Sequence, residues 1–396
     1  MNNPHHNPSP GVADTGTHTS AQASAETSTD TSGLALSPNP IAWPDNTRRA
    51  AFDRWLAAIT PRHALRAETL ASASADASFR RYFRIHSAQG ASFIIMDAPP
   101  PQEDVRPFVH IAGLIRGAGL NAPVVHEADA GEGFLLLGDL GQTPYLQALG
   151  QADAAGADRL MRDAISALVQ FQLRVPYDRL PLYDEPLLAR ELALFPDWCV
   201  EREFGVVWSE SQRGQWQQVC RSLLDSALAQ PTLAVHRDWM PRNLMVCGGS
   251  ADADADANSG ILANPGILDF QDAVRGPISY DIACLLRDAF ISWDEEREID
   301  WAARYWSQAR RAALPVPADF GEFWRQVEWM GLQRHLKVLG IFCRLKHRDG
   351  KPAYSADLPR FFNYATKVAL RYRPLQALLP LIEPLSGIKL STGLTF

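Results

Sequence analysis

His236-Arg237-Asp238-Trp239-Met240-Pro241-Arg242-Asn243, followed one strand later by Leu268-Asp269-Phe270, is the stretch on which the reading of this chain turns. Phosphoryl transfer needs few protein groups: one carboxylate facing the attacking hydroxyl, and hard oxygen ligands holding Mg²⁺ against the phosphates of a nucleotide. Asp238, on a loop directly after the apolar run Leu233 to Val235, supplies the first. Asn243, at the end of the same loop, can turn its carbonyl oxygen to the metal, and Asp269 adds an ionised ligand from the opposite strand of a hairpin. Pro241 argues against a helix through the loop, because it lacks an N–H and clashes with the preceding turn. The plainer alternative is a surface loop whose His236 and Asp238 only cap a helix. H-R-D-x-x-x-x-N together with a later D-F after a strand is much more specific than either half.

Outward from this stretch, Leu233 to Asp272 forms a small strand-rich island with short apolar runs at Leu244-Met245-Val246 and Ile267-Leu268. The Ala-Asp repeats and Asn-Ser-Gly of residues 251–260 lie inside it, and the segment 250–264 is expected to be a flexible insertion; it lacks the central Gly and terminal Glu of a calcium loop. Helical patterns dominate after Pro144, at 155–173, 187–204, 211–229, 280–290, 294–312, 319–346 and 357–374. Upstream, a helix is expected over Arg48 to Ile59 and another over Asp104 to Gly117. Strands are expected at Phe79 to Ile85, Ser92 to Met96, Pro123 to Val125 and Gly133 to Leu137. The fold class that results is α+β: a small sheet with one main helix over residues 70–138, then a larger, mostly helical part.

Residues 1–44 are rich in Ser, Thr, Ala, Asn and Pro and nearly devoid of large apolar side chains, and are expected to be a disordered tail in which His5-His6 is polar filler. The whole chain has 396 residues, 46% of them hydrophobic, and a formal charge of -7. That sign repels phosphate backbones, so no nucleic-acid partner is expected. Five widely spaced cysteines (Cys199, Cys220, Cys247, Cys284, Cys343), with no C-x-x-C pair, read as reduced thiols and not as a disulfide framework or zinc site. No apolar run reaches the length of a membrane span, and Met1 to Pro10 lacks the basic-then-apolar order of a secretory leader, so a cytoplasmic location is expected. Gly117-Ala118-Gly119-Leu120-Asn121-Ala122 fits a dinucleotide string but follows a helix instead of a strand, and reads as a helix-end loop. No G-x-x-x-x-G-K-[ST] loop occurs. Asp281 opens a helix, either as a charge favoured by the helix dipole or as a buried acceptor bracing the catalytic loop.

With these residues in hand, the chain resembles the aminoglycoside/choline-kinase-like phosphotransferases, a branch of the two-lobed protein-kinase-like fold, over roughly residues 60–350. The resemblance rests on His236-x-Asp238-x₄-Asn243, Asp269 and Asp281. More narrowly, four strings are similar to bacterial anomeric kinases that phosphorylate N-acetylmuramic acid and N-acetylglucosamine at C1 during cell-wall recycling. They are Asp76-Ala77-Ser78-Phe79-Arg80-Arg81-Tyr82-Phe83-Arg84, Met96-Asp97-Ala98-Pro99-Pro100, Leu268-Asp269-Phe270-Gln271-Asp272-Ala273 and His347-Arg348-Asp349-Gly350-Lys351-Pro352. The resemblance implies ATP as donor, Mg²⁺ as cofactor and a small amino sugar as partner. It also implies an N-lobe over 45–140 that binds nucleotide and a C-lobe over 141–396 that carries the catalytic loop, the metal site and the sugar-binding region.

Two departures stand out: Met96 occupies the strand position where kinases usually place a phosphate-binding lysine, and no lysine precedes Lys337. The phosphates therefore need another cation, Arg80 or Arg81, and the glycine-poor turn Ser74 to Ser78 must still admit them to backbone N–H groups. Adenine is expected against the connector Leu137 to Leu140, which gives Ser78, Arg80, Leu137, Asp139 and Leu140 as nucleotide contacts. Gln271, Asp272, Arg344 and Arg348 are candidates for the sugar, the two arginines for a lactyl carboxylate. Alternatives are a kinase for another small alcohol, such as an aminoglycoside or choline, and a nucleotide-binding pseudokinase scaffold motivated by the missing lysine.

Overall fold

Asp45 caps the first helix: its carboxylate accepts the Arg48 backbone N–H at 2.7 Å, and α1 (Asn46–His63) runs from there. The computed structural model describes residues 41, 43–75, 79–248 and 262–387. After α1 come β1 (Leu65–Ala75), β2 (Arg81–Ser87), β3 (Ser92–Asp97), α2 (Arg106–Gly117), β4 (Leu120–Asn121), β5 (Val125–Asp129) and β6 (Phe134–Gly138). Five of these strands make one antiparallel sheet in the order β1-β2-β3-β6-β5. Successive side chains leave a strand on opposite faces. Phe83, Ile85, Ile95, Phe134 and Leu136 therefore cluster with Phe52, Leu56 and Ile59 of α1, while Met96, Leu135 and Leu137 cluster with Phe108, Ile111 and Ile115 of α2. Both faces of β6 are covered, which is why Phe134-Leu135-Leu136-Leu137 is an unbroken apolar run.

The remainder is helical around a few short strands. In chain order it comprises α3 (Tyr145–Gln151), α4 (Ala154–Arg174), α5 (Glu185–Leu194) with a π-helical continuation Phe195–Glu203, and α6 (Glu210–Leu228). Next come β7 (Thr232–Val235), β8 (Leu244–Met245), β9 (Leu262–Ile267) and β10 (Val274–Pro277). The chain ends in α7 (Tyr280–Leu286), α8 (Glu295–Arg311), α9 (Phe320–Asp349), α10 (Leu358–Arg371) and α11 (Leu379–Ser386). α9 is buried on nearly every side between Phe323 and Cys343, and ends in a basic last turn with Gly350 at φ 65°, the left-handed position that suits glycine. The fold is thus the expected α+β architecture, with an antiparallel sheet leading a helical part.

Several expectations need correction. β1 was not anticipated, because Leu-Arg-Ala-Glu-Thr-Leu-Ala-Ser-Ala-Ser-Ala has one β-branched residue and alternates only between small Ala and Ser at its end; its pairing with β2 carries register shifts. The helix expected through 204 ends at Leu194 and widens into a π-helical stretch over Pro196. The helix expected over 280–290 stops at Leu286, because the Asp288 side chain accepts the N–H groups of Phe290 and Ile291 at 2.6 and 2.9 Å and turns the chain. The proposed tail through residue 44 is too long, since Ile41 and Trp43 sit against the α1 cluster and Trp43 meets Phe52 at 4.8 Å. The insertion placed at 250–264 is too long as well. Leu262 to Asn264 belong to β9, and Asn264 accepts the Cys247 N–H and donates to Tyr145 and Asp163. His5-His6, the repeats at 251–260 and Ser78 lie outside the described residues. α2 does end at Gly117, with Gly119 at φ 76° making the loop read from the sequence, and all five cysteines are free.

Candidate active site

β7 and β10 pair antiparallel with Val235 opposite Val274, so the loops 236–243 and 268–273 leave the same end of this ribbon. β8 and β9 pair with Leu244 opposite Ile267, and the Leu268 N–H reaches the Asn243 carbonyl at 2.9 Å. Two short ribbons thereby bring Asp238, Asn243 and Asp269 together across more than twenty-five residues of sequence. Arg237 and Asp269 both have left-handed backbones, at φ 76° and 60°, a conformation that costs non-glycine residues about 1 kcal/mol or more and collects at functional loops.

The loop is held from beneath. Asp281 is buried and accepts the N–H groups of His236 and Arg237 at 2.7 and 3.0 Å, so of its two readings the bracing acceptor holds. Burial pushes its carboxyl up to about 7, against the pull of those two N–H groups. His236 is also fully buried, and desolvation pushes it down to about 4. A neutral ring explains its two contacts: Nε2–H donates to the Leu268 carbonyl at 3.0 Å, and Nδ1 accepts the Asp238 N–H at 3.3 Å. One imidazole thus ties the two functional loops together. Arg237 turns into the helical part, where it meets Glu191 at 2.5 Å; Glu191 also takes Lys337 at 2.8 Å.

Asp238 holds the loop through its carbonyl, which accepts the Met240 N–H at 2.9 Å and the Asn243 Nδ2–H at 3.0 Å. Its carboxylate is 37% exposed and lies 4.0 Å from Nη2 of Arg334, a nearly buried side chain of α9. An accessible carboxylate beside a fixed cation is suited to accept a hydroxyl hydrogen without moving. Asn243 Nδ2 is 3.4 Å from Asp269 Oδ2, and Gln271 Nε2–H donates to Asp269 Oδ1 at 2.9 Å. The donor set would suit magnesium: Asp269 would offer carboxylate oxygen, and with the Asn243 nitrogen committed to Asp238 its amide oxygen is the atom left to offer. Among the described residues no three His, Cys, Asp or Glu side chains gather as a cage, and Mg²⁺ bound alongside phosphates needs only one or two protein oxygens.

Above these loops lies a cleft of about 380 Å³, lined on the sheet side by Tyr82, Ile94 and Leu137 to Gly141 and on the other by Asn243, Met245, Leu268 and Asp269. Leu137, Asp139 and Leu140 therefore face the space for which they were nominated. The Asp139 carboxylate, however, is engaged by Arg84 at 2.6 Å and by Ser92, so what this residue offers the cleft is backbone. Arg80 reaches Asp269, with Nη2 3.8 Å from Oδ1. Arg81 does not: it joins Arg48 on buried Asp97 and lies over Trp43, on the α1 side of the sheet.

Gln271 and exposed Asp272 follow Asp269 just beyond Phe270 and belong to the site's rim. Arg344 and Arg348 are not brought to Asp238. They lie ten and fourteen residues beyond Arg334 on α9, roughly 15 to 20 Å along its axis, and exposed Arg348 pairs with Asp349. Arg334 and Glu191 were missed, as was Glu103, whose Oε2 lies 3.6 Å from Arg80 Nε. The one signal for Arg334 was a polar cluster, Gln333-Arg334-His335, set among apolar residues of a long helical pattern.

The model of the phosphotransferase enzyme family matches residues 69–320. The chain belongs to that family. An N-acetylmuramate/N-acetylglucosamine kinase of Pseudomonas putida is 52% identical over 322 residues, covering 81% of this chain and 89% of that protein. One from Neisseria meningitidis is 45% identical over 351 residues, 88% of this chain and 99% of that one. In fold, the chain is similar to the ethanolamine kinase of Plasmodium vivax, with a TM-score of 0.54, 10% identity and coverage of 87% and 91% of the two chains. It is equally similar to a gentamicin complex of APH(2″)-IIa, with a TM-score of 0.54, 11% identity and coverage of 85% and 99%. The protein is an enzyme of phosphoryl transfer, and its fold is the two-lobed, kinase-like one that was expected.

Proposed function

We propose that this phosphotransferase moves the γ-phosphoryl group of ATP to the anomeric C1 hydroxyl of N-acetylmuramic acid and N-acetylglucosamine in peptidoglycan recycling, in the cytoplasm. The observation that carries the substrate is the 52% identity to an N-acetylmuramate/N-acetylglucosamine kinase along 89% of that relative. The reaction type rests on the accessible carboxylate of Asp238 beside the Asn243 and Asp269 oxygens. Nucleotide occupies the cleft between residues 45–140 and the helical part, with adenine against the backbone of Leu137 to Leu140, and Asn243 and Asp269 hold Mg²⁺, which neutralises charge on the phosphates. Asp238 orients the sugar hydroxyl and accepts its proton late, and an anomeric hydroxyl, more acidic than an ordinary alcohol, asks only for a weak base. Gln271 and Asp272 reach ring hydroxyls or the acetamido group. No helix among the described residues is long and apolar enough to cross a membrane.

A panel assay of ADP release tests this reading. Both amino sugars should support release in the wild type, and Asp238→Ala should lose at least about 10²-fold in rate while still binding ATP. Turnover of an aminoglycoside or choline with neither sugar active would replace the substrate assignment, and wild-type rates in the Asp238 variant would remove that residue from the mechanism.

A further inference from the structure

Met96 is buried at the point of β3 where a kinase lysine is expected, opposite Tyr82 and Leu135 in the sheet and enclosed in the α2 cluster. It cannot be the cation that meets the phosphates, and Arg81 is committed to Asp97 on the other face. Arg80, one residue before β2, is placed differently. Its guanidinium is 12% exposed and spans two carboxylates: Nε lies 3.6 Å from Glu103 Oε2, and Nη2 lies 3.8 Å from Asp269 Oδ1. It therefore bridges the sheet side of the cleft to the metal-ligand side. Glu103 does more than balance charge, since its other oxygen, Oε1, accepts the backbone N–H of Phe79 at 3.3 Å. One carboxylate thus holds both the Arg80 side chain and the backbone that leads into it. Glu103 itself is fixed by its N–H on the Pro99 carbonyl at 3.1 Å, three residues before α2 begins.

We infer that Arg80 binds the nucleotide phosphates in place of the absent strand lysine, and that Glu103 is the positioning residue that aims it. The inference rests on the ATP-dependent reading above. A guanidinium that already lies beside Asp269 needs only a small rotation to exchange that carboxylate for a phosphate oxygen, and its planar fork can take two oxygens where an ammonium takes one point contact. A chain built this way also has no use for a lysine on β3, so Met96 is free to serve the apolar contact with α2.

The test is calorimetric titration of the intact chain, without sugar, using MgATP and, separately, adenosine. In Arg80→Met, MgATP affinity should fall about 10- to 100-fold, the loss of a hydrogen bond between charged groups, while adenosine affinity is unchanged. Arg80→Lys should recover much of the loss. Glu103→Gln should weaken MgATP by a smaller factor and leave adenosine alone. Equal MgATP affinity in Arg80→Met and wild type would overturn the inference, as would parallel loss of MgATP and adenosine, which marks a collapsed cleft. A wild-type chain that binds adenosine and MgATP no better than background would overturn the ATP-dependent reading itself, and the inference with it.

Discussion

His236 and Asp281, both fully buried beneath Asp238, respond to pH in opposite senses. His236 is depressed to about 4 from the 6.5 of a free imidazole, so the stability it contributes is present above pH 6.5 and is lost as pH falls toward 4. Asp281 is raised from 3.8 to about 7, so its contribution is present below pH 3.8 and is lost as pH rises through 7. In the wild type the two slopes oppose each other between about pH 4 and 6.5, and a substitution of either exposes the other. Asp281→Asn can satisfy only one of the two N–H groups it faces, so it should cost about 1–3 kcal/mol. Urea unfolding at pH 4.5 and 6.5 should show that deficit larger at the acid end, because the wild type alone loses the Asp281 term as pH rises. A deficit that grows with pH would contradict the buried, raised carboxyl. At this scale the loop was readable because Asp238, Asn243, Asp269 and Asp281 sit at fixed local spacings. Glu103 and Arg334 were not readable, since each reaches the site from an element whose approach is decided only by tertiary packing.

At the scale of elements, the central helix α9 shows how closely the helical part is fitted. A Cβ added at Gly340 would lie 2.4 Å from the carbonyl carbon and oxygen of Leu194, where α5 passes into its π-helical continuation. Those are backbone atoms and cannot rotate away. Gly340→Ala should therefore lower stability by about 1–3 kcal/mol, visible as a lower melting temperature, although Ala is the better helix former. An unchanged or raised melting temperature would mean that the contact yields. Helices were the most legible elements, with apolar residues recurring at the helical period over long stretches. β1 was not: Ala and Ser at alternate positions bury little, and the strand exists because β2 offers it a partner. The π-helical stretch was likewise unreadable, since Phe195–Glu203 has the composition of an ordinary helix and widens only where α9 presses against it.

For the whole molecule, one apolar cluster runs from Met96 and Leu137 of the sheet, through Phe108 of α2 and Phe270 beside Asp269, to Phe323 and Val327 of α9. Phe108 and Leu137 of this cluster also line the cleft, so the packing that joins the sheet to the helical part reaches the cleft wall. A second cluster closes the outer face of the sheet, and Trp43 completes it, against Phe52 at 4.8 Å and under Arg81 at 4.5 Å. A chain starting at residue 41 should keep the melting temperature and activity of the full protein, whereas one starting at Asp45 should lose about 2 kcal/mol with Ile41 and Trp43. Equal melting temperatures for the two would show that this packing contributes nothing.

The central claim concerns the whole molecule too: that it transfers phosphate to C1. A free N-acetylated amino sugar is reducing because its ring opens at the anomeric carbon, and a C1 phosphate locks that ring. Following ADP release and reducing ends in one reaction, with N-acetylmuramic acid and with N-acetylglucosamine, separates this chemistry from transfer to any other hydroxyl. The account predicts that reducing ends disappear one for one as ADP appears; ADP accumulating while the reducing ends persist would contradict it.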